Sequence, residues 1–77
     1  MWLVDWDIQS KKRGLFYYHL KKIRKKYGLY GAMSSQSVML IDDESVAREV
    51  YELADKFGQA SLYRVEKVNG EEGEKIG

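Results

Sequence analysis

Trp2, Val4, Trp6 and Ile8 stand at every second position of the opening run, with Leu3, Asp5 and Asp7 between them. Side chains along a strand point alternately to its two faces, so this run makes a strand with one wholly apolar face and one mixed face. The period then changes. Between Ser10 and about Tyr27, the residues Phe16, Leu20, Ile23 and Tyr27 recur at helical spacing, and Leu15 and Tyr18 broaden their stripe. Ser10 is placed to cap this helix and Gly28 to stop it. Gly14, inside it, costs about 1 kcal/mol against alanine. Over 29–41 the pattern is strand-like again, as two short strands (29–33 and 36–41) meeting near Ser34 and Ser35, or as one bent strand. Asp42 or Asp43 caps a second helix with Val46, Val50, Leu53, Ala54 and Phe57 on its apolar side and Gly58 at its end. Leu62, Tyr63, Val65 and Val68 complete a last strand.

This order of elements, β-α-β-β-α-β, predicts an α+β ferredoxin-like sandwich: an antiparallel sheet with two helices on one face. The helices would cover Trp2, Val4, Trp6 and Ile8. Residues 1–68 are then a single domain, and 69–77, the polar run after Val68, a flexible tail. A chain of 77 residues buries only about 60% of its unfolded surface, which leaves room for dimerisation to add stability. It contains no cysteine, so disulfides and thiolate metal sites are excluded. No apolar run approaches the ~20 residues of a membrane span. A cytoplasmic protein without membrane association is the simplest expectation.

The net charge of +1 conceals a split. Eight of the thirteen cationic residues are Lys11, Lys12, Arg13, Lys21, Lys22, Arg24, Lys25 and Lys26, in a stretch without a single acid, while ten of the twelve acids lie from Asp42 onward. Cations in the first turn oppose the helix dipole, so stability alone does not explain Lys11, Lys12 and Arg13. Those at the C-terminal turns suit the dipole. The helix has no acid for i,i+4 pairing, so the run is either a solvated face or a contact surface for an anionic partner such as nucleic acid.

The segments Trp6-Asp7-Ile8, then the basic helix ending Lys25-Lys26-Tyr27-Gly28, then Gln36-Ser37-Val38, resemble the second core protein of CRISPR spacer acquisition and the related virulence-associated D toxins. In that family Gln stands two residues before Ser, and an aromatic follows the Ser-Val pair; here Gln36 directly precedes Ser37, and Met39 takes the aromatic's place. The resemblance implies a ferredoxin-like homodimer with facing aspartates near a shared cleft. Family members bind duplex DNA structurally, or cleave RNA or DNA with a divalent metal, so the resemblance leaves endonuclease activity open. It singles out Asp7, seconded by Asp5 on the same strand face, as the residue that would hold a magnesium or manganese ion (Mg2+ or Mn2+) and orient a water. The eight cations are the candidate nucleic-acid contacts. Ser37 and Gln36 are placed either to donate to a phosphate or to satisfy a strand bend, and the resemblance implies a partner protein in an adaptation complex. Family members usually continue into a further strand that crosses to the partner subunit, and the polar run Asn69-Gly70-Glu71-Glu72-Gly73-Glu74-Lys75-Ile76-Gly77 is a poor substitute for it.

The alternative for Asp5 and Asp7 is a wet sheet face or pairing with the basic helix. The alternative for the whole chain is a non-catalytic protein-interaction or regulatory dimer. His19, the one histidine, cannot make a multi-ligand zinc site alone and reads as a half-exposed helix residue. Ser34, Ser35 and Ser37 lack a base and an orienting acid, which argues against nucleophilic catalysis. Trp2 and Trp6 share a face with Val4 and Ile8 and so belong to the core, not to a base-stacking platform.

Overall fold

The computed structural model describes residues 1–29, 33–35, 37–65 and 73–75. Strand β1 (Trp2–Asp7) is followed by helix α1 (Ser10–Tyr27), strands β2 (Met33–Ser35) and β3 (Val38–Ile41), helix α2 (Glu44–Phe57), and strands β4 (Gln59–Val65) and β5 (Gly73–Lys75). The sheet order is β2-β3-β1-β4-β5, antiparallel throughout. The first four strands therefore have the ferredoxin-like arrangement, with β1 and β3 central. β2 pairs with β3 antiparallel across a register shift, so two strands form here and not one bent strand. Ser34 and Ser35, however, lie within β2 and not at the turn between the strands. The segment expected to be a polar tail instead contributes Gly73–Lys75, which pairs with the β4 residues Tyr63, Arg64 and Val65. Gly31, Gln36 and Val68 lie outside the described residues.

The period-two pattern of β1 sorts as expected. Val4, Trp6 and Ile8 are buried with Phe16, Leu20, Met39, Ile41, Val46, Ala47, Val50, Ala54 and Leu62. Trp2 packs at the margin of that cluster. The stripe of α1 is rotated from its expected position. Leu15 and Tyr18 are exposed, whereas Tyr17 packs against the core. Its ring lies edge-on to Phe16 at 4.9 Å and to Trp6 at 6.5 Å, and its hydroxyl accepts a 3.2 Å hydrogen bond from Trp6 Nε1.

The two helices start differently. Asp43 caps α2, accepting from Ser45 Oγ at 2.7 Å, Ser45 N at 2.8 Å and Val46 N at 3.3 Å. The Ser45 hydroxyl foremost, and then the two amides, hold its carboxyl below the ordinary aspartate pKa. Ser10 does not cap α1: it is the first helical residue, and Gln9 at the cap position makes no side-chain bond. The turn is secured instead by Lys12 N–H donating to Gln9 O at 2.9 Å and by Arg13 Nε donating to Ile8 O at 2.9 Å. Arg13 therefore has a local structural role that its charge did not suggest. At the other end, Gly28 adopts the left-handed conformation (φ 67°) and Leu29 N–H closes on Arg24 O at 2.8 Å, as helix ends commonly do.

Gly58 matters for a different reason. A Cβ there would sit 2.5 Å from Asp7 O and 3.2 Å from Ile8 Cα, both backbone atoms. The end of α2 thus passes against the end of β1 with no room for a methyl group. Gly58→Ala is expected to cost about 1–3 kcal/mol through overpacking. Thermal melts followed by circular dichroism should show a fall of about 4–8 °C per kcal/mol. A melt matching the parent protein would show that this contact yields easily.

Candidate nucleic-acid interface

The end of β1 is where the chemically interesting residues meet. Trp6 N–H donates to Ser37 O at 3.1 Å, just before β3 begins at Val38. On the other side, Asp7 faces Gln59, the first residue of β4. The strand therefore carries Asp7 one residue past its last bond to the β3 side, and the side chain is exposed. Asp5, two residues earlier and half-buried, lies between Val38 and Ser61 on the open face of the sheet.

Two hollows flank this end. Trp6, Asp7, Ile8, Arg13, Gly14, Tyr17 and Ser37 line one of about 670 Å³. The other, on the open side, includes Asp5, Asp7, Ser37, Asp55 and Gln59 in its lining. The fold thus gathers four residues singled out in the sequence, Asp5, Asp7, Arg13 and Ser37. It adds Gly14, Tyr17, Asp55 and Gln59, which sequence reasoning did not place there. Gly14 left a trace in advance: a glycine in a helix interior is costly and marks a place worth inspecting.

The donor set for a divalent cation is thin within one chain. Among the described residues no three His, Asp or Glu side chains converge as a metal site requires. Asp5 and Asp7 sit two positions apart on a strand, about 6.6 Å between Cα atoms. A magnesium or manganese ion on them would draw its remaining ligands from water, nucleic acid or a second chain.

The remaining cations are spread along α1. From Arg13 to Arg24 the helix rises about 16 Å, so the C-terminal group does not border the Asp7 hollows. Lys11, Lys12, Lys21, Lys22, Lys25 and Lys26 are exposed, and Arg24 is half-buried. Among the described residues none of these seven forms an ion pair; the salt bridge found there joins Arg48 to Glu44 within α2. Lys22 Nζ rests 4.5 Å over the Tyr18 ring and Lys26 Nζ 4.9 Å over Tyr27. The Tyr27 hydroxyl, and after it Glu49, hold the Lys26 ammonium above its ordinary pKa. Tyr27 also donates to Glu49 Oε1 at 2.7 Å, tying α1 to α2. Tyr17, Leu20, Lys21, Arg24 and Lys25 border a further shallow hollow. The Nε of Arg24 is buried without a hydrogen-bond acceptor among the described residues. His19 packs its ring 5.9 Å from Phe57 and takes no part at the β1 end.

The open sheet face is apolar where it passes the centre of β1. Leu3 is paired in register with Leu40 on one side and Tyr63 on the other. All three are half-buried, although both helices pack on the opposite face. No helix of the described residues is long and apolar enough to cross a membrane. Comparison with protein-family models, curated proteins and solved structures finds no match to this chain.

Proposed function

We propose that this is a small nucleic-acid-binding protein that works as a homodimer and resembles the CRISPR adaptation subunit. The observation that carries this reading is the unpaired cationic surface of α1. Six exposed lysines on one helix form no ion pair among the described residues. Glu49 and Glu52 of α2 border the hollow beside Lys22 and Lys26, while Lys11, Lys12, Lys21 and Lys25 lie outside that hollow and repel one another in the free protein. A phosphate backbone relieves that repulsion and releases its own condensed counterions. Tyr18 and Leu15, exposed among the lysines, provide apolar surface for sugars or unstacked bases. The Leu3, Leu40 and Tyr63 row suits a second copy of the chain on the open face, which would bring two Asp7 residues toward one seam.

The test is a titration of labelled duplex DNA and of single-stranded RNA across a salt series, with and without Mg2+ or Mn2+. Binding should weaken with salt at a slope of roughly 0.7–0.9 per phosphate contacted. A flat or absent response at low salt would leave α1 as a solvated face. Metal-dependent cleavage is a second reading, favoured by Asp5 and Asp7 lining one hollow. It requires product in the same samples and the loss of that product in Asp7→Asn.

A further inference from the structure

The hollow at the β1 end holds opposite charges that do not meet. Asp7 and Arg13 both line it and both are exposed. Among the described residues, however, no ion pair within 4.0 Å joins them. Arg13 is not free to swing across, because its Nε is fixed on Ile8 O at 2.9 Å. Its two terminal nitrogens remain as donors, while the Asp7 carboxylate only accepts. Trp6 and Tyr17 form an aromatic wall, held together by the Nε1-to-hydroxyl bond. Gly14 adds no side chain, and a Cβ built on it meets nothing within 4 Å. The helix accepts a glycine at a position where alanine would fit, and the space this leaves belongs to the hollow.

A ligand that fits must be flat, carry adjacent donors at one edge for a carboxylate, and carry acceptors at another for a guanidinium. Guanine has both: N1–H and the N2 amino group on one side, O6 and N7 on the other. Adenine, cytosine and uracil do not offer two neighbouring donors beside a separate pair of acceptors. The hollow's volume lies within the range of small-molecule sites. We infer that it captures an unpaired guanine base of a single-stranded nucleic acid, with Asp7 accepting from the N1 and N2 groups, Arg13 donating to O6 and N7, and Tyr17 as the stacking wall. The inference rests on the nucleic-acid reading above and adds what α1 cannot supply, a base preference. Phosphates would lie along the lysines, and one base would turn into the β1 end.

The probes are short oligouridine RNAs carrying a single central guanosine, adenosine, cytidine or uridine, compared at fixed salt by fluorescence anisotropy. The guanosine strand should bind about 10–100-fold tighter than the other three. Asp7→Ala and Gly14→Leu should each erase that difference and leave the salt slope unchanged. Gly14→Leu is the informative variant for folding, since a Cβ at this position meets nothing within 4 Å and leucine replaces a poor helix former. Trp6 fluorescence should also respond to guanosine monophosphate in the parent protein and not in Gly14→Leu. Equal, salt-sensitive binding of all four strands would overturn the guanine site while keeping the nucleic-acid reading. Preference for another base would overturn it as well. No binding of any strand at low salt would overturn both.

Discussion

Replacing Lys21, Lys22 and Lys25 together by glutamate should weaken nucleic-acid binding by about 10²–10³-fold near 0.1 M salt, and should lower the salt slope by about 2–3. The three are exposed, lie within two turns of α1 and make no ion pair among the described residues. Their removal therefore takes away charge and little packing, apart from the Lys22 ammonium over the Tyr18 ring. Arg24 is left in place because its Nε is buried and its loss would mix a packing effect with an electrostatic one. Acids at a helix C-terminus oppose the dipole, so the variant's melting temperature is to be recorded beside its affinity. An affinity and slope equal to those of the parent protein, in a folded variant, would move the binding surface away from α1.

The largest effect on stability is expected from Phe16→Ala. Phe16 is fully buried, with its ring at 5.3 Å from Trp6, 4.9 Å from Tyr17 and 6.2 Å from Phe57, all in edge-to-face geometry. It is the point at which β1, α1 and α2 share one aromatic cluster. Truncating a buried phenylalanine costs about 3–5 kcal/mol, and the three ring contacts lie beyond what area alone accounts for. At 0.05–0.15 kcal/mol per residue a domain of this size holds roughly 4–12 kcal/mol in total. The variant should therefore lose at least about 12 °C in melting temperature, with partial unfolding at room temperature in the severe case. A loss below about 1 kcal/mol in urea titration would mean that Trp6 and Tyr17 collapse into the space.

The sequence reading and the structure agree best where one short-range rule decides. The alternation of Trp2, Val4, Trp6 and Ile8 shows in the burial of β1, and the glycines at 28 and 58 end their helices. The reading falls short where tertiary position decides. Tyr17 lies on the flank of the stripe headed by Phe16, and only the nearness of α1 to the end of β1 makes that flank an inner one. Leu15 and Tyr18 face the opposite way, so their hydrophobicity misled. Ser10 looked like a cap because of its chemistry, but Arg13 and the Gln9 carbonyl secure that turn. Gly73–Lys75 carries no strand signal of its own, being glycine, glutamate and lysine, and is a strand because β4 offers it an edge. For the site, Asp5, Asp7, Arg13 and Ser37 could be named beforehand. Their assembly around two hollows could not, because it depends on where β3 begins and where α1 leaves the sheet.

Among the described residues the two outermost strands, β2 and β5, span three residues each, and this bears on how copies of the molecule can join. Lateral extension into a fibril needs flat, exposed segments of about six or seven residues on which another backbone can register. Three-residue borders, one carrying a glutamate and a lysine and the other broken by a register shift, are poor templates for it. Growth by adding strands is discouraged at these two segments, while the leucine and tyrosine row at the centre of the open face stays available. The homodimer proposed above would then form as a closed, countable pairing of faces and not as an open-ended polymer.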